Sequence, residues 1–98
     1  MLLIREIMYC KPGKVRPMIE KFLAMSKAME KSGKRKMRVM TDVSAEQYWT
    51  LVAEFEVETF DQFTAMGSSP EMKELEPMMK DYHDLVDRGR REIYKVEG

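Results

Sequence analysis

Few side chains in this 98-residue chain are equipped for chemistry, and they are scattered along it. The single imidazole, His83, sits in "KDYHDLVD" beside Tyr82 and Asp84 and one turn after Met79. There it can act as a general base, with the Tyr82 or Tyr48 hydroxyl as a partner. The plainer reading is a helix-surface histidine flanked by acids. One histidine and one cysteine give no transition-metal spacing, so no metal is expected. Glu54 and Glu56 alternate with apolar residues in "TLVAEFEV", which sets up either a buried carboxylate with a raised pKa or a water-exposed strand end. Trp49 and the eleven methionines can line a pocket for an aromatic molecule, because thioethers adapt to varied shapes. At helical spacing the same methionines also serve as ordinary core.

Composition narrows the partner classes. Lys plus Arg and Asp plus Glu balance at 17 each, so no global field draws the chain to nucleic acid or an anionic membrane. The basic run "KSGKRKMR", residues 31 to 38, reads as a solvated turn and strand start. An RNA-binding sheet would want stacking aromatics on its third strand, and "YWTLVAEFEV" brings carboxylates instead. The lone Cys10 rules out an intrachain disulfide and points to a cytoplasmic compartment. "MLLIREIMYC" is too polar for a secretory signal, and no run approaches a membrane span.

The elements that must position these residues follow from periodicity. "LLIREIMY", residues 2 to 9, reads as strand one, stopped by Lys11-Pro12-Gly13. Val15, Met18, Ile19, Phe22, Met25 and Met29 form one apolar stripe, which predicts a helix over Lys14 to Lys31 ended by Ser32-Gly33. "RKMRVMTD" reads as strand two, and Val43-Ser44-Ala45 links it as a hairpin to strand three, Glu46 to Val57. Thr59-Phe60-Asp61-Gln62 is a capping box that starts a short helix closed by Gly67. Ser69-Pro70-Glu71 opens another, with a capping hydroxyl, a proline at the first position and an acid at the positive end of the dipole. Its stripe of Met72, Leu75, Met79, Tyr82 and Val86 should run to Gly89, with a kink or break near Glu76 imposed by Pro77. "REIYKVE", residues 91 to 97, is the last strand.

This order, βαββαβ, predicts one ferredoxin-like α+β domain over residues 1 to 98: a four-stranded antiparallel sheet with its helices on one face. Parity then places Leu2, Ile4, Met8, Trp49, Leu51, Ala53, Phe55 and Val57 under the helices. Leu3, Arg5, Ile7, Tyr9, Tyr48, Thr50, Val52, Glu54 and Glu56 fall on the uncovered face. Monomers seldom leave such an apolar patch bare, and so short a chain buries only about 60 to 65 % of its unfolded surface. The expectation is a symmetric homodimer whose sheets meet around a mixed cavity.

Two stretches carry a resemblance. "LIREIMYCKPGKVRPMIEKF" resembles the first strand, Lys-Pro-Gly turn and first helix of NIPSNAP-like proteins. "EFEVETFDQFTAMGSSPEMKEL" resembles the strand-to-helix passage of antibiotic biosynthesis monooxygenase domains. Both groups belong to the dimeric α+β barrel superfamily. The resemblance implies a homodimer and a small-molecule cavity, with cofactor-independent oxygenase or isomerase chemistry as the enzymatic version. Monooxygenases of that superfamily place an Asn on strand one, a Trp on the short helix and a His on the second. Alignment on the turn puts Arg5, Phe63 and Glu76 at those positions, and this chain has no Asn. With no imidazole at the axial position, heme degradation is not expected and no cofactor is implied. Arg5 and Glu76 would form a polar pair in which the guanidinium holds a carboxylate or phenolate. The candidate ligand-binding residues are therefore Arg5, Tyr9, Tyr48, Val52 and Phe63, and the candidate catalytic ones Arg5, Glu76 and His83. The competing reading is an interaction or assembly module whose barrel is packed shut by methionine and tyrosine.

Overall fold

A computed structural model describes residues 1–31, 33 and 36–98, the side chain of Glu71 apart. Strand β1, Leu2–Cys10, runs into the Lys11 to Lys14 turn. There Gly13 takes φ 78°, which favours glycine, and the Lys14 amide donates to the Lys11 carbonyl at 2.9 Å. Helix α1, Val15–Lys31, turns Met18, Phe22 and Met29 onto the sheet. Gly33, at φ 77°, donates its amide to the Glu30 carbonyl. The expected Ser32 helix end, the start of strand two at Arg35, and the role given to the Glu71 carboxylate lie outside the described residues.

Strand β2, Arg38–Thr41, pairs with β3, Thr50–Val57, and the link between them is longer than the hairpin expected. The Asp42 carboxylate accepts from the Thr50 amide at 2.8 Å, and the Thr50 hydroxyl donates to the Gln47 carbonyl at 2.9 Å. These bonds hold residues 47 to 50 as a turn, with Trp49 in the left-handed region at φ 62°. Strand parity therefore does not extend back to Trp49 or Tyr48. Trp49 does not lie beneath the helices but is 44 % exposed, and Tyr48 is 86 % exposed.

After β3 the chain enters α2, Phe60–Met66. Thr59 caps it by accepting from the Gln62 amide at 3.1 Å, while the Gln62 side chain reaches one residue further back than expected, to the Glu58 amide. Helix α3, Pro70–Lys73, is capped by Ser69. It ends well before Pro77, and turns carry the chain through residues 74 to 81 to the short α4, Tyr82–Leu85. Pro77 has no amide to donate and disfavours a helical Glu76, so the expected break widens into a segment.

The expected helix end at Gly89 is overturned. Strand β4 spans Val86–Lys95, and Gly89 lies within it, opposite Met8. A Cβ at Gly89 would stand 2.8 Å from both the Met8 sulfur and its methyl, so the glycine makes room for a thioether rather than ending a helix.

The sheet order is β2-β3-β1-β4 with every neighbouring pair antiparallel, and the helices pack on one face: the ferredoxin-like α+β fold. Ile4, Met18, Leu51 and Ala53 are fully buried between the layers, with Phe22, Phe55 and Val57 nearly so. Cys10 closes β1 inside this core, where burial first, and then the charges of Asp42 and Asp87, push its thiol pKa up.

Candidate functional site

A cavity of about 340 Å³ opens between the sheet and the helices. Its floor is Met8 and Phe55 from the central strands, its back wall Phe22, Met25 and Met29 from α1, and its roof Phe63, Met66, Met72 and Met79. The lining is apolar because strand parity and the helical stripe aim the same residue types into one space. Phe63 packs against Phe55 and Phe60, each at 5.9 Å between centroids.

Polar groups converge on one wall. Glu6 shares the strand parity of Ile4 and Met8, so it faces the helices, and antiparallel pairing sets Arg91 opposite it. Arg91 Nε donates to Glu6 Oε1 at 2.5 Å, and its guanidinium lies over the Phe63 ring at 4.9 Å. Tyr82 completes the wall, its hydroxyl donating to the Met8 sulfur at 3.5 Å. Burial first, and then the neighbouring Glu6 charge, raise the Tyr82 pKa, which keeps the phenol protonated and a donor. A small apolar body with one polar end matches this arrangement. Sequence reasoning passed over Glu6 and Arg91, although the parity of β1 and the β1–β4 pairing bring them together.

The roof is tied down by a buried lysine. Lys21 of α1 donates from Nζ to the Asp81 carboxylate at 2.6 Å and to the Met78 carbonyl. One ammonium thus fastens the residue 74 to 81 segment, whose Met79 touches the cavity. That hydrogen bond is the main cause holding the Asp81 carboxyl below its usual pKa.

Of the sequence-derived candidates, Arg5, Tyr9 and Val52 share the uncovered sheet face, around a shallow depression of about 380 Å³. Phe63 lies on the opposite side of the sheet, in the methionine cavity, so no single pocket gathers all four. Tyr48 stands apart on the β2–β3 link beside Trp49. The expected Arg5–Glu76 pair does not form, because Arg5 turns away from the helices while Glu76 sits exposed in the turn before Pro77. Arg5 instead binds Glu54 at 3.1 Å and Glu92 at 3.8 Å, and Arg38 meets Glu54 at 3.8 Å. Register places Arg38, Glu54, Arg5 and Glu92 in one row across all four strands, a ladder of alternating charge. Glu54 is thus an ion-paired carboxylate. The apolar patch expected here is smaller than parity suggested: Ile7 is 7 % and Tyr9 9 % exposed, and the Arg88 guanidinium covers the Tyr9 ring at 4.5 Å. His83 is exposed on α4, edge-on to Tyr82 at 5.0 Å, and lies outside the methionine cavity. Among the described residues no group of three His, Cys, Asp or Glu is placed to hold a metal ion, and no helix is long and apolar enough to cross a membrane.

No protein-family model matches the chain, and no curated protein matches it in sequence. Solved structures do match its shape. An uncharacterised NIPSNAP domain protein from Burkholderia xenovorans superposes with TM-score 0.72 at 12 % identity, over 99 % of this chain and 95 % of its own. A candidate antibiotic biosynthesis monooxygenase from Nitrosomonas europaea superposes with TM-score 0.73 at 13 % identity, over 98 % of each chain. A protein from Arabidopsis thaliana gives TM-score 0.72 at 14 % identity, over 100 % of this chain and 97 % of its own. The chain shares their fold. The first two carry the names of the groups whose turn and strand-to-helix passage the sequence resembles, and at such identities the likeness speaks for architecture alone.

Proposed function

We propose that this chain binds a small apolar or aromatic molecule in the methionine-lined cavity between its sheet and helices. One observation carries the reading: an apolar space of about 340 Å³ whose only strongly polar wall among the described residues is Glu6, Arg91 and Tyr82. Ligand sites have that composition, a greasy body with a few converging polar groups, and methionine walls adapt to the occupant. The depression on the other face is less suited, since Arg5, Glu54 and Glu92 of its lining are committed to the ladder. That face is better matched to a second copy of the chain, because a row of alternating charges can pair with itself across a two-fold axis. If the monooxygenase name of the Nitrosomonas neighbour extends to this chain, the same cavity would hold the substrate, with the Tyr82 hydroxyl placed to give a proton.

Methyl-labelled methionine makes the reading testable directly. Titration with 2-naphthol, a neutral aromatic, should shift the Met8, Met66 and Met72 methyl resonances and leave that of Met1, at the exposed terminus, in place. Uniform small shifts, or none, would remove the cavity as a binding site.

A further inference from the structure

The methionine cavity does not stand alone. A second depression, about 450 Å³, runs along the β4 edge and shares Glu6, Met8, Tyr82 and Arg91 with it. Its remaining walls bring Arg88, Arg90 and His83, against the single further carboxylate of Asp87. Two of these arginines are engaged elsewhere: Arg88 over Tyr9, and Arg90 with Glu92 at 3.4 Å. Arg91 is the one that reaches both spaces. Glu6 takes its Nε and the Phe63 face supports its plane, so the guanidinium is held in one orientation with its Nη edge unspent on Glu6. That edge offers two parallel N–H donors, the geometry that grips a carboxylate.

We propose that the ligand of this site is an amphipathic anion, with its apolar body among the methionines and its carboxylate on the Arg91 Nη edge beside the Tyr82 hydroxyl. The proposal rests on the cavity reading above and adds the chemical class of the occupant. Glu6 serves it as a positioning residue, orienting the guanidinium without touching the ligand. Its carboxylate opposes an incoming anion, so the hold on the ligand comes from the paired Arg91 donors and the Tyr82 hydroxyl. Sequence alone assigned the anion-holding role to Arg5, which lies on the wrong side of the sheet. Arg91 inherits it through register.

The experiment compares 2-naphthoate, ionised at neutral pH, with 2-naphthol, its neutral counterpart of like shape, by methionine-methyl NMR. Naphthoate should bind about tenfold more tightly, a gap that one charge-assisted contact supplies. Arg91→Gln should erase that preference, weakening naphthoate about tenfold more than it weakens naphthol. Arg16→Gln, the same change on the exposed face of α1, should keep it. Added salt should weaken naphthoate and spare naphthol, a readout that needs no variant to fold. Equal binding of the two ligands, a preference that survives Arg91→Gln, or salt-insensitive naphthoate binding would overturn the proposal while the cavity stands. Binding of neither would sink both.

Discussion

Gly89 and Met8 show how single residues set the size of the cavity. The glycine faces a thioether that also lines the methionine cavity and accepts the Tyr82 hydroxyl. Gly89→Ala would set a methyl 2.8 Å from the far end of that flexible side chain and 3.3 Å from the Ile7 carbonyl. Met8 must swing its thioether aside, a cheap shift because the crowded atoms are the far end of a flexible side chain. The expected outcome is a displaced Met8 methyl resonance and 2-naphthol affinity reduced several-fold, with the melting midpoint little changed. An unchanged Met8 resonance would mean that the glycine has no part in the site. At this scale the sequence was least legible. A glycine after an apolar helical stripe reads as a terminator, and only the β1–β4 register shows it as a gap left for a neighbour. Arg5 and Glu6 are adjacent in the chain, yet parity sends one to each face. A choice between them decides which side of the sheet is taken for the site.

The elements were more legible, because periodicity is a property of many residues at once. Strand β1, helix α1, the Thr59 and Ser69 caps and the alternation of β3 stand where the pattern puts them. Where single bonds override pattern, the reading failed: Asp42 and Gln47 hold Thr50 so that Trp49 leaves the strand. The segment over the cavity depends in the same way on one side chain, Lys21. Removing that ammonium as Lys21→Met should speed amide exchange across residues 78 to 82 and lower the midpoint by several degrees, with the β1–β3 amides protected as before. Acid should act alike. Lys21 depresses the folded Asp81 pKa below about 3.8, so the fastening is complete above that value and lost as pH falls through the lower folded one. Exchange in the segment should therefore rise in that acid window in the native chain and show no such step in Asp81→Asn. An identical acid response in both would assign the opening to other carboxylates.

For the molecule as a whole, the covered and uncovered faces of the sheet differ in character. One encloses apolar space, while the other carries the charge ladder, with Val52 and Met40 half-buried in the neighbouring row. Of the ladder only Arg38 is well exposed; Arg5, Glu54 and Glu92 are partly buried, and their desolvation offsets much of the attraction, so the ladder does little for the monomer. In the proposed dimer this row faces a second copy of the chain. Light scattering at micromolar concentration should give twice the mass of one chain, and Val52→Arg should return it to one without loss of helix. A wild-type mass of a single chain would end the pairing hypothesis. The thiol at the end of β1 has a further use. Cys10 is 4 % exposed and held protonated by its surroundings, so a thiol-specific dye meets it only when the sheet comes apart. The chain therefore carries a built-in clock: the labelling rate of this one sulfur times how often the whole fold opens, and a bound occupant of the cavity should slow it.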